Sequence, residues 1–408
     1  MKNSCTPLFP ARNNPSCWSA LRALGLLALA LTCLPMAALA QDSVAELGDI
    51  IVTAKRVERP IKLTDRLTVY GELQASFSTN LADPDRRKGA NRLRLAHPDH
   101  NAFSIPYAKL GVARELSGLN EFDAGFRFEV GAGRMVEEVF RDPVLGDVGI
   151  TIPQAYVDLQ LPALSEPLHV RFGRQYSWFG AESLDLSSNP HLSRSLASLA
   201  TPQTVTGASL GFDLAPGLRY TQFVVQGWDV VEDQNDAKTL GGQVLWTARD
   251  AGLALNWILG DESPDADTLL GGDELRWVVE LAALLQPTRH TEVRASALYG
   301  QEDFRDDTFR FGGGMLSVTQ GFFPVEGEGY ARFTGGLRAS VLWTDGGPRD
   351  ELLAEITATV GLNLTANASL RAEYRHDFSS RGDGFLGRRG GPTHGGQDTF
   401  TFAFDYRF

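Results

Sequence analysis

The chain ends in DTFTFAFDYRF, residues 398–408. Phe400, Phe402, Phe404, Tyr406 and Phe408 share one parity, and Thr401, Ala403, Asp405 and Arg407 share the other. A strand sends alternate side chains to opposite faces. One face here is therefore wholly aromatic and the other largely polar. A soluble sheet would need a second layer over the aromatic face. A sheet closed on itself in a bilayer needs none, because the aromatic face meets lipid and the polar face lines the inside.

The same period recurs upstream. Phe122, Ala124, Phe126, Phe128 and Val130 alternate with Asp123, Arg127 and Glu129. Leu275, Trp277, Val279 and Leu281 alternate with Arg276 and Glu280, and Leu370, Ala372 and Tyr374 with Arg371, Glu373 and Arg375. Charges of both signs on the inner parity would be costly in a sandwich core, whereas they suit an aqueous lumen. About sixteen such segments, with a range of fourteen to eighteen, fit the pattern. They lie near 67–78, 104–114, 121–133, 152–162, 166–176, 204–214, 218–228, 240–249, 252–260, 274–286, 290–301, 309–320, 329–343, 351–363, 368–378 and 398–408. FGGGMLSVTQ, within the twelfth segment, does not keep a clean parity. The expected fold is all-β, a transmembrane antiparallel β-barrel closed first strand to last. Its connections alternate between short (215–217, 365–367) and long (79–103, 177–203, 302–308, 379–397), as in outer-membrane barrels. An even strand count puts both termini in the periplasm, and sixteen strands leave an aqueous channel.

The N-terminus sets the compartment. Lys2, Arg12 and Arg22 are the only charges in residues 1–40, Ala23 to Leu34 is almost purely apolar, and Ala38-Leu39-Ala40 precedes Gln41. This reads as a secretory signal peptide. All three cysteines, Cys5, Cys17 and Cys33, fall inside it, so the mature chain has no disulfide and no thiolate metal site. Removing three cations from the net charge of −12 leaves −15, which argues against nucleic acid as a partner. No cofactor or metal motif is legible. The domain reading is signal peptide 1–40, periplasmic leader 41–65 and barrel 66–408 in the outer membrane of a Gram-negative cell.

The terminal alternation through Phe404, Tyr406 and Phe408 resembles the signal read by the barrel-assembly machinery. The leader stretch Ile50, Ile51, Val52, Thr53, Ala54 resembles the energy-coupling box of receptors driven by TonB. The chain over roughly 66–408 resembles the OmpL-like family of barrel porins. It does so through QAYVDLQLP (154–162), HVRFGRQYSWFGAES (169–183), NPHLSRS (189–195), VQGWDVVEDQNDAKTLGG (225–242) and LAEITATVGLNLTANASLRAEYRHDFS (353–379). That resemblance implies a channel for small hydrophilic solutes.

Selectivity would rest on two features. The long connection 177–203 is a candidate for an inward-folded constriction. Glu182, Asp185, His191 and Arg194 would face Arg171, with Arg174 beside it, and SLASLA would form a helical turn. At the mouth, a basic patch of Arg86, Arg87, Lys88, Arg92, Arg94, Arg381, Arg388 and Arg389 would face an acidic arc of Asp233, Asp236, Asp261, Asp265, Asp267, Asp303 and Asp306. Such a field would steer charged solutes or hold lipopolysaccharide. Arg127, Arg276, Arg294, Arg338, Arg371 and Arg375 would pair with inward carboxylates. Arginine's fork suits such pairs, and the chain has six lysines against 32 arginines.

Three rivals remain open. Asn189, His191 and Ser193 lie close enough in sequence for hydrolase chemistry. A structural or adhesive barrel predicts a plugged lumen. A TonB-driven receptor needs a plug domain, and residues 41–66 are too few to make one; the leader would instead add as a strand to a periplasmic partner such as TonB, fold into the lumen as a small gate, or be inert.

Overall fold

A computed structural model describes residues 61–408 apart from 86–87, 141–148, 164–165, 231–234, 263–273, 305–306, 347–349 and 387–391, with backbone only at 137–138, 304 and 392–393. The signal peptide, the TonB-box-like residues Ile50, Ile51, Val52, Thr53 and Ala54, and Arg86, Arg87, Arg388, Arg389, Asp233, Asp265, Asp267 and Asp306 lie outside the described residues.

The period-two segments form one eighteen-stranded sheet. Two members, Ile61–Lys62 and Ile150–Thr151, are two-residue edges laid against longer strands. The other sixteen are the staves: β1 (Leu67–Asn80), β2 (Ala102–Arg114), β3 (Asp123–Ala132), β4 (Ala155–Leu161), β5 (Leu168–Tyr176), β6 (Thr204–Ala215), β7 (Leu218–Val225), β8 (Thr239–Ala248), β9 (Ala251–Asp261), β10 (Leu275–Thr288), β11 (Thr291–Phe304), β12 (Asp307–Pro324), β13 (Ala331–Asp345), β14 (Glu351–Asn363), β15 (Ala368–Ser379) and β16 (Gly396–Arg407). Each is antiparallel to its neighbours, and β16 pairs back onto β1 from Glu72↔Arg407 to Asn80↔Thr399. Gly71 and Phe408 exchange two backbone hydrogen bonds of 3.0 Å, so the last residue completes the seam. Closure pairs the first and last staves, so the sixteen-stave wall has no open side among the described residues.

The outward parity is apolar and exposed, with Leu337 64%, Ile356 63% and Phe402 53% accessible. Only a lipid surround suits so continuous a band. Near the long-loop rim it is edged by an aromatic row, Trp277–Tyr299–Trp343, with centroids 5.5 and 5.9 Å apart.

Two differences from the sequence expectation have physical causes. The stretch 302–308 is no long loop. β11 runs to Phe304 and β12 starts at Asp307, with Phe304 opposite Asp307. Charged residues at the rim read as loop, yet strands project past the apolar band and keep pairing there. FGGGMLSVTQ lies in the 18-residue β12, and its parity is unclean because Phe311 and Met315 turn inward and are buried. They meet protein, not water. The lumen that the charge pattern suggested would be aqueous is occupied by residues 177–203.

Candidate functional site

Residues 177–203 leave β5 and return at β6, and between these points they fold inside the barrel. Leu192 and Leu196 are 0% exposed, and Leu186 and His191 1%. Two short 3-10 turns, Leu186–Ser188 and Ala197–Ala200, break the path, the second falling in the SLASLA stretch.

The segment has an apolar root. Trp178 stacks on Phe223 with centroids 3.8 Å apart and planes 7° off parallel. Phe179, Ala181 and Ala197 join them against Val205, Leu245, Ile258, Val278, Leu298, Phe311 and Met315 on the inner wall of β6–β12. Gly241 makes the seat possible, since a Cβ there would lie 2.1 Å from the Trp178 ring. A second apolar cluster joins Leu184 and Leu186 to Tyr107, to Ala96 of the first loop, and to Met135 and Val136 of the short helix α1 (Arg134–Glu138).

The tip is polar and is gripped through its backbone. Wall arginines donate to its carbonyls. Arg294 reaches Ala181 and Ser188 at 3.2 and 3.3 Å, Arg371 reaches Asn189 and Leu186 at 2.7 and 3.3 Å, Arg338 reaches Ser193 at 2.5 Å, and Arg375 reaches Arg194 at 2.7 Å. Wall glutamates accept from its amides. Glu373 takes Leu192 N–H at 2.6 Å, Glu280 takes Gly180 N–H at 2.7 Å, and Glu72 takes Ser187 N–H at 3.3 Å. A buried chain without regular structure must place its donors and acceptors somewhere, and here the barrel wall receives them. Each arginine also has a carboxylate: Arg338 has Glu355 at 2.7 Å and Glu182 at 2.8 Å, Arg371 has Asp405 at 2.7 Å, Arg375 has Asp377 at 2.6 Å, and Arg294 has Glu292 at 2.6 Å.

Of the expected constriction residues, Glu182, Asp185, His191 and Arg194 are inside the barrel, but they do not face Arg171. Arg171 lies directly opposite Asp158 in register and forks onto it at 2.6 and 3.1 Å, stacked 3.9 Å over Tyr156. Glu182 goes to Arg338, and Asp185 goes to Lys109 at 2.6 Å. Arg194 donates to Gln203, and the buried Arg174 packs 6.0 Å from the Phe140 ring. Burial alone would raise the Glu182 carboxyl, but Arg338 and Arg194 outweigh it and hold it below the usual carboxylate range. Burial first, and Arg338 second, push His191 down to about 3. Its ring nitrogens lie 2.8 Å from the Thr359 hydroxyl and 2.9 Å from the Ser317 hydroxyl. Ser193 Oγ instead accepts from Arg338 and Arg375, so the His–Ser pair that hydrolase chemistry requires is not formed.

The first loop also turns inward. Arg94 is buried, 3.5 Å from Asp377 and 3.7 Å from Glu373, and so is no part of a mouth patch. Arg92 donates to the Gly384 carbonyl, which makes the first and last long loops neighbours, as barrel closure requires. Lys88 is exposed at that rim, and Arg381 pairs with Asp383 at 3.4 Å. In the acidic arc, Asp236 is exposed. Asp261 is only 4% exposed, and Asp303 sits on β11 accepting from Gln301 and Thr308 at 3.0 Å, so neither is a free loop charge.

Glu72, Lys109, Asp377 and Asp405 were not singled out from sequence as lumen anchors. The inner parity of β1 (Tyr70, Glu72, Gln74) held the signal for the first.

Residues 66–408 match the family model described as "Putative beta-barrel porin-2, OmpL-like". The chain belongs to that family. Among solved structures it is similar to the outer membrane channel DcaP of Acinetobacter baumannii (12% identity, TM-score 0.56, covering 86% of this chain and 99% of that one). It is also similar to Salmonella typhi OmpF, solved in complex with daunomycin (12%, 0.55, 86% and 100%), and to an anion-selective porin from Comamonas acidovorans (15%, 0.52, 84% and 99%). At such identities the likeness is one of fold. No curated protein matches the chain. An OmpL-like porin barrel of this kind is an outer-membrane protein in contact with lipid outside and solute within.

Proposed function

We propose that this chain is a porin for small hydrophilic solutes whose passage is governed by residues 177–203. The observation that carries the reading is the grip itself: Arg294, Arg338, Arg371 and Arg375 hold the segment by polar contacts that water and solute are able to replace. An apolar plug would offer no such exchange. Packed as it is, the segment supports a small or intermittently open conductance in place of a wide pore. The first stave begins and the last one ends at the short-turn end, which this reading places in the periplasm. Phe404, Tyr406 and Phe408 serve barrel assembly, and the loops Lys88 and Arg381 belong to serve lipopolysaccharide contact. The leader's box-like stretch is a TonB contact, a gate on the lumen or inert.

The test is single-channel recording of the refolded barrel in a planar bilayer under a salt gradient. Discrete steps, with a reversal potential that shifts when Arg388 and Arg389 are changed to Glu, would support the reading. Silence under all voltages would make the chain a structural barrel.

A further inference from the structure

One anchor of the segment differs from the rest. Where the tip is held by arginine forks, Asp185 is held by a lysine. Lys109 Nζ lies 2.6 Å from Asp185 and 3.2 Å from Glu129, with its side chain 3% exposed. Glu72 stands directly opposite Lys109 in the β1–β2 register. Two carboxylates thus hold one ammonium, and a third faces it from the neighbouring strand. Two tyrosine faces complete the enclosure, with Nζ 5.5 Å from the Tyr70 centroid and 5.7 Å from that of Tyr176. Both phenols point at the carboxylates: Tyr70 donates to Glu129 at 2.6 Å, and the Tyr176 hydroxyl lies 2.9 Å from Asp185.

Two features mark this box as a receptor beyond a structural ion pair. Its ion pairs engage two of the three carboxylates, and the third is buried beside them without a cation of its own among the described residues. Glu72, 8% exposed, accepts from Ser187 through Oε2, while its Oε1 has no hydrogen-bond partner among the described residues. The box is also reachable. Asp185 keeps 22% of its side-chain exposure. The Tyr70 ring is shared with Arg127, which pairs with the half-exposed Glu115 at the short-turn end.

Carboxylates and aromatic faces around a compact point charge are what an ammonium requires. We propose that this box binds the ammonium group of a small organic amine, which competes with Lys109 for Asp185 and thereby loosens the segment. The loosening rests on the channel reading above, whereas the binding does not.

The test is calorimetric titration of the folded full-length barrel with putrescine. The controls are 1,4-butanediol, which matches its chain without charge, and sodium chloride at equal ionic strength. The expected result is saturable putrescine binding, no binding of the diol, and an affinity at least about tenfold lower in Glu72→Gln. Tyr70→Leu should weaken binding, and Tyr70→Phe should keep most of it. Absence of saturable binding to the wild type, or an equal response to sodium, would overturn the proposal whether or not the variants fold. Binding without any change in bilayer conductance would leave the site standing and count against the channel reading alone.

Discussion

Arg338 Nη1 lies 2.8 Å from Glu182 Oε1, although 156 residues separate them in sequence. One belongs to the barrel wall and the other to the segment that crosses the lumen. Braced by Glu355 on the wall, Arg338 also donates to the Ser193 carbonyl and hydroxyl, so a single guanidinium joins wall to tip at three points. Arg338→Leu leaves Glu182 and Glu355 buried with a lost partner, a change typically costing ~3–5 kcal/mol. We predict that it frees the tip and raises mean conductance about twofold or more. Glu182→Gln should act in the same direction, and the double variant should add less than the two effects together. Bilayer recording on the three variants measures this.

Seating of the segment should depend on pH. The His191 ring is held neutral, its pKa brought down to about 3 by burial and then by Arg338. In the unfolded or released state it titrates near ~6.5. A base depressed on seating contributes stability that is intact above ~6.5 and is lost as pH falls toward 3. Each unit in that window costs up to ~1.4 kcal/mol. Acidification from pH 7 to pH 4.5 should therefore increase open probability. His191→Gln, which keeps a polar group between Thr359 and Ser317, should flatten that response.

The root should yield to overpacking. Gly241→Ala places a methyl where only 2.1 Å separates a Cβ from the Trp178 ring, so the indole must leave its stack on Phe223. Overpacking of this kind costs ~1–3 kcal/mol. A red shift of tryptophan emission, absent in a Trp178→Phe background, would show the displacement. An unshifted spectrum would place the root elsewhere.

The seam depends on its last residue. Deleting Phe408 removes both hydrogen bonds to Gly71 and the ring that lies against that glycine. We expect the yield of folded barrel in the outer membrane, read by heat-modifiable mobility on gels, to fall about tenfold. Phe408→Tyr should restore most of it.

The staves were legible because their signal is local. Alternation in DTFTFAFDYRF or LLAEITATVGLN needs no knowledge of the rest of the chain, and all sixteen segments reappear with ends moved by a few residues. Residues 177–203 were legible as a segment that enters the lumen, but their partners were not. Leu192 N–H bonds Glu373 across 181 residues, and no spacing rule carries that distance. Arg94 read as a surface charge because its loop is long and basic, and only closure of the barrel brings it beside Glu373 and Asp377. Lys109, in PYAKLG, carried no signal of its own, because its partner Asp185 lies 76 residues away.

The most direct measurement is single-channel conductance of the wild type beside a variant in which residues 183–198 are replaced by a short Gly-Ser linker. If the arginine-gripped segment governs passage, the wild type shows small or brief steps and the variant shows large, long-lived ones with weaker ion preference. Equal conductance in the two proteins would mean that solutes do not pass by way of the segment, and the account of a clamped lumen would be wrong.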